Sequence, residues 1–149
     1  MCLKALFDLF GKPDNSQYEP GTHKEVDGNY VFNILNQVKP PATHIYISDM
    51  KYWLCSKTDI ETFLKLDDTN RQKYVSEEHD CDDFSYRLMG QLSIPKWSGI
   101  AFGIMWTDKH AMNCLIDSDS KFWFIEPQTG ELKNTLESWQ GNEILFILL

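Results

Sequence analysis

The sequence predicts an α+β domain in which N-terminal helices pack on a C-terminal antiparallel sheet. Three observations predict it. Apolar residues before Pro95 recur mainly at helical spacing, those after it alternate with polar residues as in strands, and no linker, repeat or low-complexity tract divides the chain. The whole of 1–149 is therefore expected to form one domain, with 1–40 as a helical extension of the same unit.

Composition narrows the function classes. Hydrophobic residues make up 42% and charged residues 24%, a balance that supports a packed core and excludes disorder. The net charge is −8, from 22 acids against 14 bases, with no basic run, so nucleic acid is excluded as a partner. Excess carboxylate instead suits a cation binder. Cys2, Cys55, Cys81 and Cys114 stand far apart without a C-x-x-C pair, and reduced thiols in a cytoplasm are expected. The apolar start is short and broken by Lys4 and Asp8, unlike a secretory signal. No run approaches the roughly 20 apolar residues of a membrane span, so no membrane partner is expected. The expected location is cytoplasmic, in a host's cytoplasm if the protein is phage-encoded.

Leu3, Leu6, Phe7 and Phe10 predict a short amphipathic helix ended by Gly11 and Pro13, followed by a loop to Gly28. Val31, Ile34, Leu35 and Val38 form the next helical face, stopped by Pro40-Pro41. Strands are expected over 44–48 and 51–55. Thr58 to Glu61 matches a capping box for a helix burying Ile60, Phe63 and Leu64, and a shorter helix is expected over 70–75.

Asp80-Cys81-Asp82-Asp83-Phe84 opens the segment on which the functional reading rests. Cys81, Phe84, Leu88 and Leu92 share one helical face, Asp80 is the N-cap candidate, and Asp82 and Asp83 suit the positive end of the helix dipole. Strands follow over 100–106, 110–116 and 121–126, then a turn at 127–130, a helical turn around Leu136 and Trp139, and a buried last strand over 143–149. A turn centred on Ser118 would pair Cys114 with Phe122, Met112 with Phe124 and His110 with Glu126, setting an imidazole opposite a carboxylate.

A thiol becomes a strong nucleophile only as the thiolate, which needs a base and a group to orient that base. Cys81 as nucleophile, His110 as base and Glu126 as orienting carboxylate meet that requirement. Asp82 and Asp83 oppose it, because nearby anions disfavour a thiolate. A bound Ca²⁺ or Mn²⁺ on Asp82 and Asp83 would remove that opposition and suits oxygen ligands. Cys55 and Cys114 read as buried small hydrophobes.

Lys73-Tyr74-Val75, Asp80-Cys81-Asp82-Asp83-Phe84, His110-Ala111 and Glu126-Pro127-Gln128-Thr129-Gly130 together resemble the papain-like cysteine protease domain of fungal chimerolectins, the C-terminal domain of the Marasmius oreades agglutinin, and its stand-alone bacterial and phage relatives. The resemblance runs from Tyr46 to Leu149; the lectin part has no counterpart here and the first 40 residues are unmatched. It implies a papain-like fold and a cysteine peptidase with a Cys81-His110-Glu126 triad, activated by calcium or manganese at Asp82 and Asp83. The expected partner is then a protein or peptide substrate, carried as an acyl-enzyme. Gln128 stands as a substitute for an oxyanion glutamine expected before the cysteine. The alternative is a catalytically silent metal- or partner-binding module on the same fold, such as a phage protein acting on a host protein.

Overall fold

The computed structural model describes residues 18–149, so the helix expected over Leu3–Phe10 lies outside the described residues. Eight strands and three α-helices follow in the order β1 (Lys24–Asp27), α1 (Gly28–Leu35), β2 (Ala42–Tyr46), β3 (Lys51–Leu54), α2 (Lys57–Leu66), α3 (Cys81–Leu92), β4 (Phe102–Thr107), β5 (Ala111–Ile116), β6 (Phe122–Glu126), β7 (Glu131–Lys133) and β8 (Ile144–Leu148). No described helix is long and apolar enough to cross a membrane.

This arrangement corrects the expected fold class. The chain is not a set of N-terminal helices packed on an antiparallel C-terminal sheet, nor does the structure support calling it papain-like. It is β-rich, and its main sheet is six-stranded and mixed, in the order β2-β8-β4-β5-β6-β7. The last strand inserts between β2 and β4, parallel to the first and antiparallel to the second. A separate two-stranded sheet pairs β1 with β3, where a loop was expected before Gly28. Hydrophobic period reports whether a segment is helix or strand, but not which strand it pairs with.

Both faces of the main sheet are covered. Met105, Met112, Cys114, Phe124 and Ile147 join Val31 and Leu35 of α1 in one core. Phe102, Leu115 and Ile125 join Ile60 and Phe63 of α2, Leu88 and Leu92 of α3, and Trp97 in the other. The alternation of side chains across a strand produces this division, and it leaves every residue of central β5 buried.

Helix starts are set by short polar motifs. α2 begins two residues earlier than Thr58 would place it, because Ser56 is the N-cap. The Ser56 hydroxyl accepts from the Asp59 N–H at 3.1 Å and Asp59 Oδ2 accepts from the Ser56 N–H at 3.0 Å. The helix expected over 70–75 is a single 3₁₀ turn, Thr69–Arg71. Trp139 lies in a turn, and no helix forms around it.

The β5–β6 register departs from the expected one by two residues: Cys114 faces Phe124 and Ile116 faces Phe122. The turn is centred on Asp119 instead of Ser118. Asp117 Oδ1 accepts from the N–H groups of both Asp119 and Lys121 at 2.9 Å, and Ser120 takes a positive φ of 65°. A shift of two preserves the face on which each side chain lies, whereas a shift of one would have reversed it.

Candidate thiol site

Three elements meet at one end of the sheet. Cys81 is the first residue of α3, His110 precedes β5, and Glu126 closes β6. Asp80 and Asp83 form a capping box at the start of α3, with the Asp80 N–H donating to Asp83 Oδ2 at 3.2 Å. The box aims the positive end of the helix at the thiol. At the other end of the turn, the Ser85 hydroxyl donates to the Cys81 carbonyl at 2.8 Å.

His110 Nε2 lies 2.8 Å from Glu126 Oε2, with both residues buried. A carboxylate only accepts, so the proton sits on Nε2 and Nδ1 is the basic nitrogen. Glu126 Oε1 accepts from the Gln128 N–H at 3.2 Å, and the side-chain amide of Gln140 reaches Oε2 at 3.5 Å. The His110 ring packs against Trp139 with centroids 5.1 Å apart. The His110 N–H donates to Thr107 Oγ1 at 2.9 Å, and that hydroxyl donates in turn to the Gln140 carbonyl.

Cys81 is partly exposed and in no disulfide, and its thiol lies by the backbone N–H of Ala111, the residue that follows His110. The thiol thus lies at the start of β5, by the residue after His110. Desolvation is the main cause pushing the Cys81 thiol up from its ordinary range, and Asp80 and Asp82 add to it, while the Ala111 N–H acts in the opposite direction. Cys55 and Cys114 are buried. Burial pushes the Cys55 thiol up to about 12 and the Cys114 thiol further still.

The acids around Cys81 are arranged differently from the expected pair. Asp82 lies beside Asp80, and their carboxyl groups share a hydrogen bond, while Asp83 is engaged in the cap. That bond is the first cause of both shifts: it holds Asp80 below the usual carboxylate range and lifts Asp82 above it. Ligand atoms of Asp80, Cys81 and Asp82 lie within 4.8 Å of one another. His79, two residues before the thiol, packs its ring on Phe84 at 4.7 Å. Sequence reasoning missed Gln140 and Thr107. Neither belongs to a motif, and only the folded chain brings the 137–141 turn under Glu126.

No protein-family model and no curated protein matches the chain. Solved structures do. One, described as the "PSL1a-E64 complex", superposes with a TM-score of 0.71 at 24% identity over 84% of this chain and 51% of that one. Another, Polyporus squamosus lectin bound to the human-type influenza-binding epitope Neu5Acα2-6Galβ1-4GlcNAc, gives 0.68 at 22% identity over 84% of this chain and 49% of that one. The chain thus spans about half the length of the structures it matches, and the likeness establishes a shared fold. These neighbours correct the expected kinship with a papain-like cysteine protease domain, and with it the expected peptidase acting on a protein or peptide. Short motifs in the right order specify neither a fold nor a substrate. What this chain resembles in three dimensions is about half of each of these structures.

Proposed function

We propose that the protein is a thiol-dependent hydrolase in which Cys81 is the nucleophile, His110 the base and Glu126 the group that orients His110. The observation that carries this reading is the buried 2.8 Å contact between His110 Nε2 and Glu126 Oε2. It leaves Nδ1 as the basic nitrogen on the residue that precedes Ala111, whose N–H lies by the Cys81 thiol.

In this reading His110 Nδ1 takes the thiol proton as Sγ bonds to a carbonyl carbon. The imidazolium returns that proton to the leaving group as its bond to carbon breaks. A water molecule, deprotonated by His110, then cleaves the thioester and regenerates the thiol.

Asp82, with Asp80 beside it, is the proposed position of Ca²⁺ or Mn²⁺. The carboxyl oxygens of Asp80 and Asp82 lie within 4.8 Å of each other, and an oxygen pair of this kind suits a hard cation. When bound, the cation would cancel the negative field of these acids on the thiol. Asp83 has one oxygen committed to the cap, which makes it the lesser ligand of the expected pair.

Hydrolysis of p-nitrophenyl acetate tests the enzymatic reading. The wild type should turn the ester over and carry an acetyl group on Cys81, and Cys81→Ala should do neither. Equal rates for the two proteins would contradict it.

The second reading is glycan binding, favoured by the sugar in the matched Polyporus squamosus lectin. Titration of the protein with the same trisaccharide separates the two. Saturable binding retained in Cys81→Ala, without ester turnover, supports a sugar-binding module.

A further inference from the structure

Gln140 joins the two halves of the site, and its contacts differ from those of a residue that merely fills space. It is buried, in the turn before β8. Its amide nitrogen reaches Glu126 Oε2, the same oxygen that receives His110 Nε2. Its amide oxygen accepts from the Glu137 N–H at 3.0 Å, which fixes which end of the amide faces Glu126. Its backbone carbonyl accepts from Thr107, whose hydroxyl also holds the His110 N–H.

The same turn is anchored at two further points. Asp108 Oδ1 accepts from the Asn142 N–H at 2.7 Å and the Glu143 N–H at 3.1 Å. Gly141 adopts a φ of +130° and sits so close that an added Cβ would lie 2.6 Å from Thr107 Oγ1. The approach of the 137–143 turn to the 107–110 turn therefore requires glycine there.

We propose that Gln140 is a positioning residue for the thiol site: its amide N–H sets the Glu126 carboxylate in the one rotamer that meets His110 Nε2, and so determines which imidazole nitrogen is left basic. The inference rests on the assignment of His110 as the base. Gln140 touches neither Cys81 nor any reacting atom; it acts through Glu126. Its role requires a donor at the position of Nε2, and not merely a side chain of that volume.

The experiment compares wild type with Gln140→Glu and Gln140→Met. Glu keeps the shape and the oxygen that accepts from Glu137 but loses the donor. Met keeps only the volume. Two quantities are read: the rate of Cys81 alkylation by iodoacetamide at pH 7, and the His110 ring N–H proton resonance by NMR. Both variants should remain folded by circular dichroism, alkylate about tenfold more slowly, the loss that follows when a tenth of the sites retain the reactive arrangement, and shift or lose the ring N–H resonance. A wild-type rate and an unchanged resonance in Gln140→Glu would overturn the proposal. So would a slower rate with an unchanged resonance, because that leaves His110 as it was. If only one variant folds, its resonance decides. A wild type whose Cys81 alkylates no faster than the same protein carrying His110→Ala would instead overturn the underlying assignment, and this proposal with it.

Discussion

His110 and Glu126 meet through Nε2 and Oε2 at 2.8 Å although they are not cross-strand partners. The β5–β6 ladder sets Ile125 against Asn113, so its continuation places Glu126 opposite Met112. The two side chains reach each other diagonally, which long side chains do across a twisted sheet. The carboxylate therefore needs its other contacts, to Gln128 and Gln140, to hold its direction.

Glu126→Gln tests that direction. The amide is isosteric, but it can present a donor to Nε2 and so favour the wrong tautomer. Alkylation of Cys81 at pH 7 should slow by about a hundredfold, the range of a lost acid–base group. The unfolding free energy from urea titration should change by about 1–2 kcal/mol, because the variant keeps a polar partner for the buried ring.

Added Ca²⁺ or Mn²⁺ should raise the thermal midpoint and accelerate Cys81 alkylation, and a chelator should reverse both. Protonation of these carboxylates, Asp82 first because its pKa is raised, competes with the cation, so its effect should shrink as pH falls. Asp82→Asn should abolish the response while the capping box, which uses Asp80 and Asp83, keeps α3 in place. An unchanged midpoint at millimolar cation would contradict the assignment.

Asp59 makes stability depend on pH. Burial alone would raise its carboxyl pKa, but the Ser56 hydroxyl and the N–H groups of Gly21, Ser56 and Thr22 outweigh it and hold the carboxyl below its ordinary range. A depressed carboxylate contributes stability above its unfolded pKa and loses it as pH falls through the folded one. Asp59→Asn should therefore cost about 1–3 kcal/mol at neutral pH, and the difference from wild type should fade in strong acid. Urea titrations across the acid range measure both.

Gly103→Ala should destabilise the sheet centre. Gly103 is in β4, and an added Cβ would lie 2.1 Å from the Leu148 carbonyl of β8. The neighbour is backbone, so β8 itself has to move, at a cost of about 1–3 kcal/mol. A thermal midpoint equal to that of wild type would show that β8 packs elsewhere.

The parts legible in the sequence are those governed by local spacing. The buried face of α3 with Phe84, Leu88 and Leu92 and the shared face of Met112, Cys114 and Phe124 follow from periods of 3.6 and 2. The meeting of His110 with Glu126 followed from the same parity even though the turn centre was misplaced, because the error was two residues and not one. Sheet order was not legible. Ile144 to Leu148 reads as a buried strand from its own residues, but its place between β2 and β4 depends on contacts a hundred positions away. The substrate was not legible either: Cys81, His110 and Glu126 specify a chemistry and leave its object open. Asp83 looked equivalent to Asp82, and the fold separates them: Asp83 is held in the capping box, whereas Asp82 lies beside Asp80 and the Cys81 thiol.

The most direct test of the central claim, that His110 acts on Cys81, is the rate of Cys81 alkylation by iodoacetamide at pH 7 in wild type and in His110→Ala, followed by mass spectrometry of the labelled residue. The account predicts that wild type labels at Cys81 well before the buried Cys55 and Cys114, and that the substitution slows Cys81 by about a hundredfold or more. Equal Cys81 rates in the two folded proteins would contradict it.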